Sequence, residues 1–252
     1  MKKLKTCLII AILYFSFILP TYSQEILWKE LYDKSLELRK EGNYSKAIEV
    51  SESALKIAEK TFGADHPNIA TSLNNLAGLY RKTNRLKEAE PLYKRALEID
   101  EKAFGKDHPD VARDLNNLAT LYQDTNRLKA AEPLMKRALE IDKKVYGEDH
   151  PNVAIDLNNM ATLYKNTNRL KEAEPLYKRA IEINEKAFGK DHPNVASNLN
   201  NLAMLYKATN RLEEAEPLIK RALEIVEKSL GPNHPKTKKY KKNLDILLEK
   251  MN

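Results

Sequence analysis

Five histidines, His66, His108, His150, His192 and His234, are the only imidazoles in this 252-residue chain, and each stands 42 residues from the next. Imidazole ligates transition metals and moves protons near neutral pH. The array therefore raises metal binding and acid–base catalysis first. A metal ion takes three or four ligands at about 2.0–2.2 Å, whereas equivalent residues of stacked helical units lie at least one interhelical spacing apart, about 8–10 Å. Adjacent pairs could share an ion; the series could not. Each histidine is also followed by proline, which makes it a marker of chain geometry, and the spacing assigns the series a structural role.

Other routes to chemistry are missing. The chain has one cysteine, Cys7, and no glycine-rich phosphate loop, metal-ligand cluster or serine–histidine arrangement of familiar spacing. Every acid, base or histidine that could serve a reaction recurs in register, as scaffold residues do. The sequence thus points away from an enzyme and calls for no cofactor and no metal.

The elements that carry these residues are read from the repeat. Five of the seven glycines, at 63, 105, 147, 189 and 231, keep the same 42-residue interval, and the stretches 66–107 and 108–149 agree at 29 of 42 positions. A period of this size marks an array of supersecondary units, each unable to bury its apolar face alone. Leu73, Leu76, Ala77 and Tyr80 fall at i, i+3, i+4 and i+7, one stripe of a first helix; Leu86, Ala89, Tyr93, Ala96 and Leu97 form the stripe of a second. Between them Asn84, replaced by Gly42 in the first unit, reads as the left-handed residue of a tight turn. Gly63 stops one unit and Pro67 starts the next, which places His66 at or beside the N-cap. Pro91, Pro133, Pro175 and Pro217 lie about five residues into each second helix, past the first turn where proline is tolerated. Either that helix begins late or it carries a repeated kink.

The first 23 residues have the layout of a secretory signal peptide: lysines at 2, 3 and 5, an apolar run from Leu8 to Leu19, then Pro20 and the triplet Thr21, Tyr22, Ser23. Cleavage near Ser23 and export to a periplasm or the medium are expected. The run is short for a span, which needs about 20 residues, and Cys7 stands at its wrong end for lipid attachment. Removing the three leader lysines takes the net charge from +7 to +4. Six lysines against Asp245 and Glu249 in residues 235–252 account for that excess. The repeat body is near neutral, without the basic stripe of a nucleic-acid binder, so no nucleic acid is expected.

These units resemble the tetratricopeptide repeat. That family keeps a large apolar residue, leucine, a small residue and tyrosine on the first helix and two alanines on the second. Leu73, Leu76, Ala77, Tyr80, Ala89 and Ala96 match it, as do Leu115, Leu118, Ala119, Tyr122, Ala131 and Ala138. The 42-residue form with LNNLA, AEPLYKRALEI and G-x-DHP is similar to the repeats of kinesin light chains and their bacterial relatives. The resemblance spans residues 25–252, with a degenerate first unit in which Lys34 and Ser35 replace the leucine and the small residue. It implies an all-α, right-handed superhelical solenoid as one array over 24–252. The hairpins fall near 25–65, 66–107, 108–149, 150–191 and 192–233, with a capping helix at 235–250.

It also implies that the first helices line a concave groove for a peptide or a partner's helix. Carried over residue by residue, that groove holds Asn74, Asn75, Arg81, Arg113, Asn116, Asn117, Asn158, Asn159, Lys165, Asn200, Asn201 and Lys207. Paired amides can hold an extended backbone without reading its side chains, or one of each pair can bond between helices of the scaffold. The variable positions carry cations and little acid, which points to a ligand with negative charge. The expected protein is a monomeric, non-catalytic scaffold for a protein or peptide partner. The alternative is a self-assembling or membrane-surface-associated structural protein acting through its lysine-rich last helix.

Overall fold

The computed structural model describes residues 23–251, and the expected signal peptide and its cleavage site lie outside them except for Ser23. Eleven helices and no strand occur among the described residues. They are α1 (residues 23–40), α2 (Tyr44–Phe62), α3 (Pro67–Lys82), α4 (Leu86–Phe104), α5 (Pro109–Asp124), α6 (Leu128–Tyr146), α7 (Pro151–Asn166), α8 (Leu170–Phe188), α9 (Pro193–Ala208), α10 (Leu212–Leu230) and α11 (Pro235–Met251). Consecutive helices pair as antiparallel hairpins, the packing of a tetratricopeptide-type solenoid. None is long and apolar enough to cross a membrane among the described residues.

Two compact units divide between Leu121 and Tyr122, inside α5. In the first, Ala58, Ile69, Ala70, Leu73, Ala96 and Ile99 form a buried cluster with Trp28, Leu55, Phe62 and Leu92 against it. Trp28 stacks on Tyr32, meets Phe62 edge-on and donates to Ser72 Oγ at 2.8 Å, so α1 is tied to α3 although its sequence departs from the repeat. In the second unit the alanines Ala161, Ala173, Ala180, Ala203 and Ala215 are wholly buried around Tyr177 and Ile219. Their small side chains let the helices close up. Tyr240 and Leu247 of α11 join the last of this core, so the lysine-rich helix contributes apolar residues on one face only.

The start of each first helix follows from the histidine–proline pair. His66 is extended (φ −82°, ψ 138°), as a residue before proline must be, and its Nδ1 accepts the Asn68 N–H at 3.1 Å. The same bond recurs at His108, His150, His192 and His234. The imidazole also stacks on the last aromatic of the preceding helix, with centroids 4.3 Å apart for Tyr146 and His150 and 4.5 Å for Phe188 and His192. A side-chain N-cap contributes about 1 kcal/mol. The lone pair that a metal would need is spent on it, and no group of three or more potential ligands occurs among the described residues.

Within each hairpin the turn asparagines take positive φ: 61° at Asn84, 58° at Asn126, 60° at Asn168 and 59° at Asn210. The following arginine N–H then reaches back to the tyrosine carbonyl, as from Arg169 to Tyr164 at 2.8 Å. That places the arginine over the same tyrosine's ring, 3.9 Å from its centroid for both Arg169 and Arg211. Arg211 Nη1 and Tyr206 Oη both donate to Glu174, 2.5 and 2.9 Å away on the preceding hairpin.

The second helices do not begin late. α4 starts at Leu86 and runs through Pro91 to Phe104, with Pro133, Pro175 and Pro217 likewise inside their helices. Proline removes the N–H that the carbonyl four residues earlier would accept. Pro91 and Lys87 are both exposed, so the helix carries its proline on the solvent side.

Candidate functional site

The first helices bring the sequence-derived groove residues together differently in the two units. In the first unit Asn74, Asn75, Arg81, Arg113 and Asn117 converge on a pocket of about 210 Å³. Thr71, Gly78 and Lys82 complete its α3 wall, and Tyr32, Leu36 and Arg39 of α1 with Tyr93 of α4 close it. Four cations and three amides face this space, and no carboxylate lines it. Arg39 and Lys82 make no ion pair among the described residues.

Its amides are held in order by the scaffold. Asn75 is nearly buried and donates to Ser51 Oγ at 3.0 Å and to Ser35 Oγ, with Ser51 in turn donating to Ser35 at 2.8 Å. Ser35, out of pattern in the sequence, is thus the polar floor for Asn75. Asn75 Oδ1 is buried without a hydrogen-bond partner. Asn74 donates to Asp114 Oδ1 at 2.8 Å and accepts from Asn117 at 3.4 Å. Asn116 lies half-buried outside the pocket lining.

Behind the pocket stand two buried carboxyl groups, Asp100 of α4 and Asp114 of α5, 1% and 0% exposed. Arg113 spans them: Nε donates to Asp114 Oδ1 at 3.1 Å, Nη2 to Asp100 Oδ2 at 3.0 Å, and Nη1 to Asp110. Both carboxyl groups are bound to the same guanidinium, and Asp100 Oδ1 and Asp114 Oδ2 are buried with no hydrogen-bond partner. Two buried carboxyls with an unsatisfied oxygen each favour holding one proton over carrying two charges. Burial raises both groups, Asp114 to about 7, with Arg113 opposing.

In the second unit the asparagines of successive first helices are linked. Asn201 donates to Asn158 at 2.9 Å and Asn243 to Asn200 at 3.0 Å. Asn200 is buried; Asn159 is half-buried on α7. Lys165 and Lys207 are half-buried at the ends of α7 and α9. Burial lowers the Lys165 amine, and the Lys239 charge of α11 lowers it further. Thr162, in the place of Gly78, meets Tyr177 Oη at 2.9 Å. Asp142 and Asp156 repeat the carboxyl pair, with Ile155 where Arg113 stands, and Asn184 and Asn198 occupy those positions one repeat on.

Sequence reasoning missed Tyr32 and Arg39 as pocket walls, since α1 departs from the repeat, and read Tyr93 of α4 only as part of a buried stripe. It also missed the carboxyl pair. An aspartate standing on the apolar stripe at 100 and 142 was the available signal.

The sequence matches the tetratricopeptide repeat family over residues 36–102, 85–144, 127–186, 157–228 and 195–252. No curated protein matches it. Among solved structures it is similar to the kinesin light chain nearly identical TPR-like repeats of Podosopora anserina, at 24% identity over 80% of this chain and 96% of that one, with a TM-score of 0.64. It is also similar to BtubC (BKLC) from P. vanneervenii, at 26% identity over 84% of each chain, with a TM-score of 0.68. Both are similar in fold.

Proposed function

From the premise that this chain belongs to the tetratricopeptide-repeat family, whose repeats mediate protein–protein interaction, we propose that it is a non-catalytic scaffold holding an acidic segment of a protein partner on its first helices. The observation that carries this is the first-unit pocket, where Arg39, Arg81, Lys82 and Arg113 face open space with no carboxylate in its wall. Arg39 and Lys82, which make no ion pair among the described residues, stand beside amides that favour an anionic ligand whose backbone they can hold. Export through the leader, to a periplasm or the medium, is part of the proposal, and it places the partner there too.

The test is capture of partners from that compartment by the wild type and by Arg39→Glu/Lys82→Glu, followed by cross-linking to locate the contact. Both substituted residues are exposed, so the fold should survive. A partner cross-linked to α1 and α3 and lost from the charge-reversed protein supports the reading. Equal capture by both proteins overturns it. Tyr240 and Leu247 of α11 are turned into the core, which supports a capping role for that helix.

A further inference from the structure

We propose that the first-unit pocket takes up a proton together with its anionic ligand, the proton going to the Asp100–Asp114 pair, so that binding is tighter in mildly acidic than in alkaline solution. This rests on the acidic-ligand reading of that pocket and adds its regulation.

The argument starts from charge. Arg113 is shared by Asp100, Asp110 and Asp114. With all three ionised, one guanidinium faces three carboxylates and its field at the pocket is more than cancelled. With one proton on the pair, whose Asp100 Oδ1 and Asp114 Oδ2 are buried without partners, one negative charge is gone. An anion reaching Arg113 then meets one unit less repulsion. The guanidinium stays accessible for this, since its side chain is 44% exposed. It has five N–H donors, and the bonds to the three aspartates use three of them.

The coupling is by contact. Asn74 touches both partners of the device: it bonds Asp114 Oδ1 at 2.8 Å and lines the pocket. The other groups facing the pair are His108 at the start of α5, whose Nδ1 lies 3.3 Å from Asp110, and Asp110 itself. From α1, Tyr32 faces Arg113, with Asp33 and Arg39 beside it. Burial of both carboxyls puts the uptake of the shared proton above the ordinary carboxylate range, with Asp114 at about 7. The second unit supplies an internal contrast. Asp142 and Asp156 form a pair without an adjacent arginine, because Ile155 stands in the place of Arg113, so titration there has no groove cation to release.

The probe is rhodamine-labelled hexaglutamate, whose carboxyls titrate near 4.3 and stay ionised throughout the range used. Its anisotropy is read from pH 6 to 8.5 on the full chain. For the wild type, affinity should fall about fivefold across that range, a unit charge's worth of repulsion at partly solvated distance. Asp114→Asn, which copies what Asn198 already does two repeats on, should bind tightly at both ends with a flat profile. His108→Asn, which keeps a capping acceptor, should retain the wild-type slope. A wild-type slope that survives in Asp114→Asn, or disappears in His108→Asn, overturns the proposal. The carboxyl carbons of Asp100 and Asp114 are followed by NMR without probe. Titration of both below pH 5 also overturns it, while a late step that moves the Arg113 Nε resonance supports it. If hexaglutamate binds no variant at any pH, the acidic-ligand reading is what fails, and the NMR titration still decides whether the pair holds a proton against Arg113.

Discussion

Filling the first-unit pocket from its floor should raise stability and lower binding together. Gly78 sits mid-helix in α3, where Thr120, Thr162 and Met204 stand in the later repeats. A Cβ built there meets Tyr93 Oη at 3.6 Å and Arg39 Nη1 at 3.8 Å, ordinary contacts that need no shift. Glycine in a helix interior costs about 1 kcal/mol relative to alanine, and threonine recovers roughly half of that. The new hydroxyl also lies where Thr162 meets Tyr177 Oη at 2.9 Å in the second unit, and a satisfied buried hydrogen bond adds about 1 kcal/mol. Gly78→Thr should therefore gain about 1–1.5 kcal/mol, which for a chain of this size raises Tm by roughly 2–6 °C. The same side chain occupies the space between Arg39 and Tyr93, so affinity for an acidic peptide should drop at least tenfold. Thermal unfolding by circular dichroism and peptide anisotropy on one preparation read both effects. Lower stability would mean that the threonine does not fit as it does at 162. Unchanged affinity with higher stability would remove the pocket from the binding surface.

Four further outcomes follow from the geometry. Burial raises the Asp142 carboxyl, so the folded state binds its proton more tightly than the unfolded chain does. Wild-type stability should then decline as pH climbs from the ordinary carboxylate range through the raised value, and Asp142→Asn should show a higher urea midpoint at pH 8 but not at pH 4. Asn168→Ala puts a Cβ-bearing residue without a local amide at φ 60° and should cost about 1 kcal/mol, whereas Asn168→Gly should be near neutral in the same urea titration. His192→Ala loses the bond to the Asn194 N–H and the Phe188 stack and should cost about 1 kcal/mol; zinc should leave the Tm of the wild type where it was. Deleting residues 235–252 strips Tyr240 and Leu247 from the second-unit core and should produce concentration-dependent light scattering.

What could be read without coordinates was whatever repeats. The turn at Asn84, the cap at His66 and the stripe through Leu73, Leu76, Ala77 and Tyr80 each need only near neighbours along the chain, so spacing reveals them. Pro91 could not be resolved that way, because a late start and an interior proline leave the same letters in the same order. Choosing between them requires knowing that Lys87 faces solvent. The pocket was half legible: α3 and α5 residues were named from the repeat. Arg39 and Tyr32 come from a degenerate α1, and their approach to Gly78 is a matter of packing between elements some 40 residues apart. The aspartates at 100 and 114 were visible as letters, but their meeting was not, since nothing in a heptad-like stripe announces that two acids will share a proton.

The carboxyl pair has a consequence for how so repetitive a chain finds its own order. Copies that agree at most positions invite pairing with the wrong neighbour, a hairpin skipped or exchanged with another molecule. At the two positions that hold the pair the copies change along the chain: alanine with serine at 58 and 72, aspartate with aspartate at 100 and 114 and again at 142 and 156, asparagine with asparagine at 184 and 198, valine with tyrosine at 226 and 240. A helix that slips by one or two copies late in the chain sets valine against asparagine or a carboxyl, stranding a buried polar group without its complement at a cost of about 1–3 kcal/mol. Matched polarity at these positions acts as a set of keyed joints, which the uniform alanines and leucines around them cannot provide.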